Sequence, residues 1–261
     1  MAIKVSGTSV INDSRQLQNI ASLDSTTIST IGANIGGGGP PIVDWTSPQA
    51  TLSSSGTYTI PTSLGDDDYI TFYLVSGGGS SRRDGANPKG GYGGAALLLS
   101  AKKGTFPSTV TYVIGAGGVI SNSGYSPQNG GVSSITISGK TFSVQGGRSN
   151  TDGATRTVGV NHFANNGDVS MIDPWIGGGA FYINSDLYGP IRDSKFGGGA
   201  GGGRTQGQNL FTGGYSELAG NGGNGSLYGG TTAGQVPGGG GGATSIDSNS
   251  NGAAGNMRVY Y

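Results

Sequence analysis

The 261-residue chain has no cysteine, one histidine and only 11% charged residues. Without thiols it forms neither disulfides nor thiolate metal sites. Fourteen basic residues balance fourteen acidic ones, and no run of Lys or Arg makes the basic stripe that nucleic acid requires. Nucleic acid is therefore not an expected partner. No stretch reaches the roughly eighteen apolar residues of a membrane-spanning helix, and the start, MAIKVSGTSVIND, lacks the apolar segment of a signal peptide. Membrane insertion is not expected, and synthesis as a soluble cytoplasmic product is. Apolar residues are scarce as well, at 33%, against 56 Gly and 10 Pro. That glycine and proline content is typical of low-complexity chains. Disordered chains, however, are highly charged and poor in aromatic and β-branched residues, whereas this one has 12 Tyr and many Val, Ile and Thr. The composition predicts a folded protein short of ordinary core.

Three regions follow one another. Residues 1–50 are the least glycine-rich and space apolar side chains at Val10, Ile11, Leu17, Ile20, Leu23, Ile28, Ile31 and Ile35, a pattern that fits either a short helix over 12–23 or short β structure. The region ends at GGGGPP, Gly36–Pro41, which has the composition of a linker or sharp turn. Residues 51–146 carry strand signals in GTYTIP, DYITFYLVSGGG, AALLLSA, STVTYVIGAGG, SSITIS and TFSVQ, and the tail NMRVYY, 256–261, is a further strand able to return to that sheet. From about 146 to 255, tracts such as FGGGAGGGR and PGGGGGATS alternate with polar and aromatic inserts.

Ordering such tracts requires dense hydrogen bonding. Every buried backbone N–H and C=O needs a partner, and Gly loses more conformational entropy on ordering than any other residue. Helix and strand both penalise Gly. The extended left-handed helix with three residues per turn has no internal hydrogen bonds and leaves its backbone groups free to bond sideways. Collagen uses that geometry with Gly at every third position, but these tracts have no G-X-Y period. If each helix has neighbours on several sides, near-continuous Gly or Ala follows. Residues 197–203, in which only Ala200 has a side chain, would form about 20 Å of such a helix. The expected fold class is mainly irregular and β: a small N-terminal domain, short strands, and a distal sandwich of packed polyglycine type II helices carrying variable loops.

Catalytic and cofactor signals are absent or explained otherwise. With this much Gly, G-x-G-x-x-G arises by chance. SGKT, 138–141, would need Gly at 134 to complete a phosphate-binding loop, and that position is Ser134, so a hairpin turn is expected. Asp66, Asp67 and Asp68 lack further ligands at calcium-binding spacing and read as a solvated turn. His162 has no positioned nucleophile or second histidine, and no carboxylate pair stands out for polysaccharide cleavage. The expectation is a non-enzymatic protein with no metal and no cofactor.

The inserts are rich in Tyr, Ser, Asn and Gly, with scattered Phe, Trp and Arg, the chemistry of adaptable recognition surfaces. Candidate binding residues are Arg82, Arg83, Arg156, His162, Phe163, Trp175, Tyr182, Tyr188, Arg192, Phe211 and Tyr228, within inserts at 80–89, 148–176, 180–196, 204–215 and 224–237. Phe181, Phe196 and Tyr215 lie on or beside the same inserts.

Alternating GGG tracts and variable inserts, a β start with VSGGGS, GGYGGAA, VIGAGGV and VQGG, and the terminal MRVYY resemble the receptor-recognising adhesins at the long-tail-fibre tip of T-even-like bacteriophages. The likeness covers most of the chain, and GTSVINDSRQLQNIASL is similar to a short segment recurrent in phage tail-fibre proteins. The resemblance implies a fibre-attachment domain at 1–50, with Ile11, Leu17, Ile20, Leu23, Ile28 and Ile31 as candidate contacts to the distal end of the trimeric long tail fibre. It implies that 51–261 binds a bacterial outer-membrane protein, of porin type, through loops between polyglycine helices and so sets host range. It implies a virion location after assembly in the host cytoplasm and release by lysis. Two alternatives stay open: an adhesin for glycan or lipopolysaccharide, and a purely structural glycine-rich protein.

Overall fold

The computed structural model describes residues 3–5, 8–11, 43–82, 90–120, 127–149, 171–172, 194, 196–202, 212–226, 230–243 and 250–261. The chain divides into two compact units, 1–42 and 43–261. In the first, β1 (Ile3–Val5) and β2 (Thr8–Ile11) pair antiparallel, with Ile3 opposite Ile11. The choice between helix and β structure over 12–35 lies outside the described residues. The second unit begins just after the GGGGPP segment and takes in residues 43–50, which the sequence reading assigned to the first.

Two antiparallel sheets form the apolar part of the second unit. The strands are β3 (Ala50–Leu52), β4 (Gly56–Thr59), β5 (Tyr69–Val75), β6 (Ala96–Lys102), β7 (Thr109–Val113), β8 (Ser133–Ile137), β9 (Lys140–Val144), β10 (Met171–Ile172) and β11 (Asn256–Tyr260). One sheet runs β10-β6-β5-β11-β3 and the other β4-β7-β8-β9. The alternation in TVTYV and the continuous apolar run in YITFYLV have the expected outcomes. β7 buries every second residue, whereas β5 is buried on both faces. Phe72, Leu74, Leu97, Leu99, Met257 and Val259 pack against Val110, Ile135, Phe142 and Val144 of the other sheet. The far face of β5 and β11, with Tyr73 and Tyr260, is covered in part by Trp45, Phe196 and Leu218. Trp45 meets Tyr73, Phe196 and Tyr260 edge-on at 5.8, 6.1 and 5.2 Å between ring centroids, a geometry that favours aromatic pairs.

SGKT is a hairpin, as expected. Ile137 pairs with Lys140 across Ser138 and Gly139, both at positive φ (49° and 77°), which is the two-residue turn whose twist suits antiparallel strands. The Asp66–Asp68 segment is a surface turn in which Asp67 and Asp66 bind Lys102 and Lys103 at 2.8 and 2.6 Å, while Asp68 accepts from the Gly65 N–H.

Beyond the strands the glycine tracts form a lattice. Segment 76–82, which continues β5, shows its rule. Successive N–H groups of Gly77, Gly78 and Gly79 donate to Gly131, Ala253 and Tyr92, and those of Ser80 and Ser81 return to the first two neighbours at Gln128 and Ser250. The direction of the donors repeats every three residues, as a three-residue turn demands. The carbonyls of Gly77, Gly78 and Gly79 accept from Gly147, Gly118 and Gly241 on the intervening sides, and all these bonds measure 2.8–3.1 Å. The N–H neighbours run antiparallel to 76–82 and the carbonyl neighbours run parallel to it. Segment 238–243 is enclosed in the same way. The N–H groups of Gly240, Gly241 and Gly242 reach Gly199, Gly79 and Thr232, and the N–H groups of Ala253, Gly223 and Gly91 donate to the carbonyls of Gly239, Gly240 and Gly241.

Polyglycine packing therefore starts at residue 76 and is interleaved with the strands, whereas the sequence reading placed it mainly at 146–255 with earlier tracts at SGGGS and KGGYGGAA. Segments 76–82, 114–120 and 145–149 leave β5, β7 and β9. Segments 90–95, 127–132 and 250–255 lead into β6, β8 and β11. A Cβ added at Gly78, Gly79, Gly199, Gly201 or Gly241 would lie within 3.0 Å of a neighbour's carbonyl group, and rigid backbone cannot retreat as a flexible side chain does. At these glycines the lattice is thus closed to any side chain larger than hydrogen, whereas Ala200, Ala243, Ser80 and Ser81 are fully buried at other lattice positions.

Gly241→Ala and Gly201→Ala are accordingly expected to cost roughly 3 kcal/mol each, as overpacking does, lowering Tm by about 10 °C in a domain of this size. Gly199→Val or Gly201→Val should prevent folding. Gly139→Asn, at a positive φ with nothing within 4 Å of the added Cβ, should change Tm by no more than about 3 °C. Thermal denaturation followed by calorimetry checks all of these.

Candidate functional site

Every lattice segment has one end at the sheets and one end away from them. At the sheet end, Ser76 bonds Ala95, Gly94 bonds Gly238, Gly198 bonds Gly94, and Gly220 bonds Pro237. The chain reverses there in tight turns. At 216–220, Ser216 Oγ accepts from the Ala219 N–H at 2.9 Å and donates to the Gly197 carbonyl at 2.7 Å. At 235–239, Gly238 takes φ 74° close to the Val75 side chain. Arg258 on β11 ties the first turn to the sheet by donating to the Leu218 carbonyl at 2.7 Å, with its guanidinium over the Tyr73 ring.

The opposite end gathers the roots of the inserts. Ser81, just before residues 83–89, bonds Ser250, just after 244–249. Ser80 bonds Gln128, next to the return from 121–126. Ala243, just before 244–249, donates to Gly202, at the start of 203–211, and accepts from Ser226, at the start of 227–229. Ser149, from which 150–193 departs, donates to the Asn129 side chain at 2.8 Å. The lattice thus brings the roots of inserts that are far apart in the chain to one end.

The long insert behaves differently at its two roots. Ser149 lies at the insert end, but Phe196 packs at the sheet end against Trp45, and Met171–Ile172 pair with Leu99 and Leu98 on the edge of β6. The two roots of this insert thus lie at opposite ends of the lattice, and of 150–193 only Met171–Ile172 are among the described residues. Phe196 is a correction: the sequence reading set it beside the recognition inserts, and it serves the aromatic cluster at the base. Tyr215, assigned to the 204–215 insert, belongs to a lattice segment and is exposed; the Ser194 N–H bonds its carbonyl.

Among the sequence-derived binding residues, Arg82 is described. It is half-buried and is the last described residue before 83–89. Arg83, Arg156, His162, Phe163, Trp175, Tyr182, Tyr188, Arg192, Phe211 and Tyr228 lie outside the described residues. Of the attachment candidates, Ile11 is the last residue of β2, and Leu17, Ile20, Leu23, Ile28 and Ile31 lie outside the described residues. Sequence reasoning placed Arg148 in the 148–176 insert without singling it out, and missed Tyr92, whose N–H bonds the Arg148 carbonyl, and the Asn and Ser side chains at the roots. The signal was present in NGG, NGGNG and SNG at the boundaries of glycine tracts. Burial raises the Tyr92 hydroxyl pKa against an opposing pull from Arg148, so the phenol stays protonated. No group of three or more metal-ligating side chains occurs among the described residues, and among them no helix is long and apolar enough to cross a membrane.

Replacing 203–211 with a short Gly-Ser-Asn loop should shift Tm by less than about 3 °C, because the neighbouring segments stay bonded on their remaining sides. Cutting 150–193 to a two-residue loop should abolish folding, because that loop cannot span the roughly 20 Å of lattice. Circular dichroism melts distinguish the two.

Comparison with curated proteins returns no match. A family model described as a glycine-rich domain matches residues 46–261, and the chain belongs to that glycine-rich domain family.

Proposed function

We propose that the chain is a non-enzymatic phage tail-fibre adhesin. In this reading 1–42 attaches to the distal end of the trimeric long tail fibre, and the inserts of the glycine-rich unit bind a bacterial outer-membrane protein of porin type. The protein acts at the fibre tip of the virion, having been assembled in the host cytoplasm and released by lysis. The observation that carries the reading is the convergence of insert roots at one lattice end. A surface built this way combines segments from the whole chain on a rigid base, and their composition is that of recognition loops: Tyr and Trp supply contact area at low entropic cost, and Ser, Gly and Asn supply hydrogen bonds. A purely structural glycine-rich protein has no use for inserts that differ from one another and rise from a single face.

Binding of the purified chain to cells of a susceptible strain, and recovery of one envelope protein from that strain, is the expected result. Trp175→Ala or Tyr188→Ala should weaken binding about 30-fold or more, as loss of an aromatic hot spot does, with attachment to the fibre unchanged. Undiminished binding to cells lacking the recovered protein, together with loss of binding on cells of truncated lipopolysaccharide, would move the target from protein to glycan. Unchanged binding after 83–89, 121–126, 203–211, 227–229 and 244–249 are all shortened, with 150–193 kept and Trp175 and Tyr188 both changed to Ala, overturns the reading.

A further inference from the structure

Short polar side chains at the insert roots form a repeated arrangement. Asn129, after the 121–126 insert, accepts from the backbone N–H of Ser149 at 2.8 Å and from its hydroxyl at 3.1 Å, at the root of 150–193. Asn251, after 244–249, accepts from the Ile120 N–H at 3.0 Å, at the root of 121–126. Asn224, before 227–229, accepts from the Gly213 N–H at 2.8 Å, at the return from 203–211. Ser81, before 83–89, accepts from the Ser250 N–H at 2.9 Å, and Ser250 Oγ donates to Thr231 Oγ1 at 2.6 Å. Each clamp reaches from the root of one insert to the root of another.

These are the places where the lattice rule stops. Inside the lattice most backbone N–H groups find a neighbour's carbonyl; at the last described turn Ile120, Ser149 and Gly213 donate elsewhere. A short side-chain oxygen takes the carbonyl's place, as an N-cap does for the first N–H groups of a helix. Asn129, Asn224 and Asn251 are exposed, so they add little to burial. What they determine is where each insert begins relative to its neighbours.

We infer that Asn129, Asn224 and Asn251 are positioning residues for recognition: they lock the insert roots to one another, so that separate inserts start from one fixed base. The inference rests on the adhesin reading for its functional consequence and on geometry for the locking itself. A receptor that touches several inserts at once gains affinity from a fixed base, because the ordering cost is met before binding, and loosening the base shows mainly in the off-rate.

The test uses the full chain, the triple variant Asn129→Ala/Asn224→Ala/Asn251→Ala, and the triple Asp variant, which keeps an acceptor oxygen at each position. Amide hydrogen exchange on the free proteins reads the locking. The N–H groups of Ile120, Ser149 and Gly213 should exchange at least about ten times faster in the Ala variant and at the wild-type rate in the Asp variant, with Tm within about 5 °C of wild type. Binding to outer-membrane vesicles from a susceptible strain reads the consequence. The Ala variant should dissociate at least about ten times faster, and the Asp variant within about twofold of wild type. Equal exchange in all three proteins overturns the locking whatever they bind. Faster exchange with an unchanged off-rate overturns the positioning role. Equal loss of binding in the Ala and Asp variants also overturns it, because the amides then touch the receptor directly. Wild-type protein that binds no vesicles removes the adhesin reading and the positioning role with it, while the exchange result still decides the locking.

Discussion

The structure depends on one interaction, the sideways backbone hydrogen bond between extended glycine segments. Its net contribution is only about 0.5–1.5 kcal/mol per bond, and ordering Gly is costly, so a single polyglycine helix gains nothing by forming. The three-residue turn changes the sum by aiming successive N–H groups at different neighbours, as Gly77, Gly78 and Gly79 do toward Gly131, Ala253 and Tyr92. An enclosed segment then satisfies its donors and acceptors entirely in its neighbours. Enclosure requires the neighbours to be in register before the bonds form. The sheets provide that register, because β5, β6, β7, β8, β9 and β11 each continue into a lattice segment and their pairing sets the starting points. The apolar core in this reading is the nucleus, and the lattice is its rigid extension.

Local chemistry made much of this readable. β4 to β9 and β11 fall in the runs that alternation and β-branched content marked, because half-buried and fully buried strands leave different periodicities in sequence. The lattice was inferable by elimination, since only a close-packed backbone needs residues 197–202 to be almost all Gly. Its extent was less legible. Ser76–Ser81 and Gly115–Gly118 look like loops following strands, and only the placement of distant segments such as 238–243 turns them into lattice. β3 and β10 are too short to carry a pattern and exist because β11 and β6 present open edges. Phe196 went astray for the same reason: its partners, Trp45, Tyr73 and Tyr260, are distant in sequence. The amide clamps were visible as Asn at tract boundaries, but their partners depend on which segments lie side by side.

The division between the two lattice ends follows from what each end adjoins. At the sheet end the chain has no room to wander, so it continues as a strand or reverses in a turn such as 216–220, held by Ser216 and Arg258. At the other end lie the roots of 83–89, 121–126, 203–211, 227–229 and 244–249, bonded to one another. Length and composition there are decoupled from folding in a way they are not at the inward glycines. The long insert is the exception, because it returns at Phe196 and supplies β10, so part of it is structural.

A lattice of this kind also separates stability from surface chemistry. The enclosed segments 76–81 and 238–243 contain Gly, Ala and Ser, and hold no ionisable side chain. The shifted groups of the sheets, such as Tyr58, pushed up to about 12 chiefly by burial, and Asp67, lowered beside Lys102, lie outside those segments. Within these two segments the bonds between neighbours therefore involve no group that proton binding can charge. In an ordinary small domain the side chains that specify the core and those that contact a partner compete for the same few elements. Here the backbone specifies the scaffold, and side chains at the insert end are free to be selected for what they touch. That freedom holds only while the roots stay fixed, which places the short amide and hydroxyl side chains at the lattice boundary among the most constrained residues outside the glycines themselves.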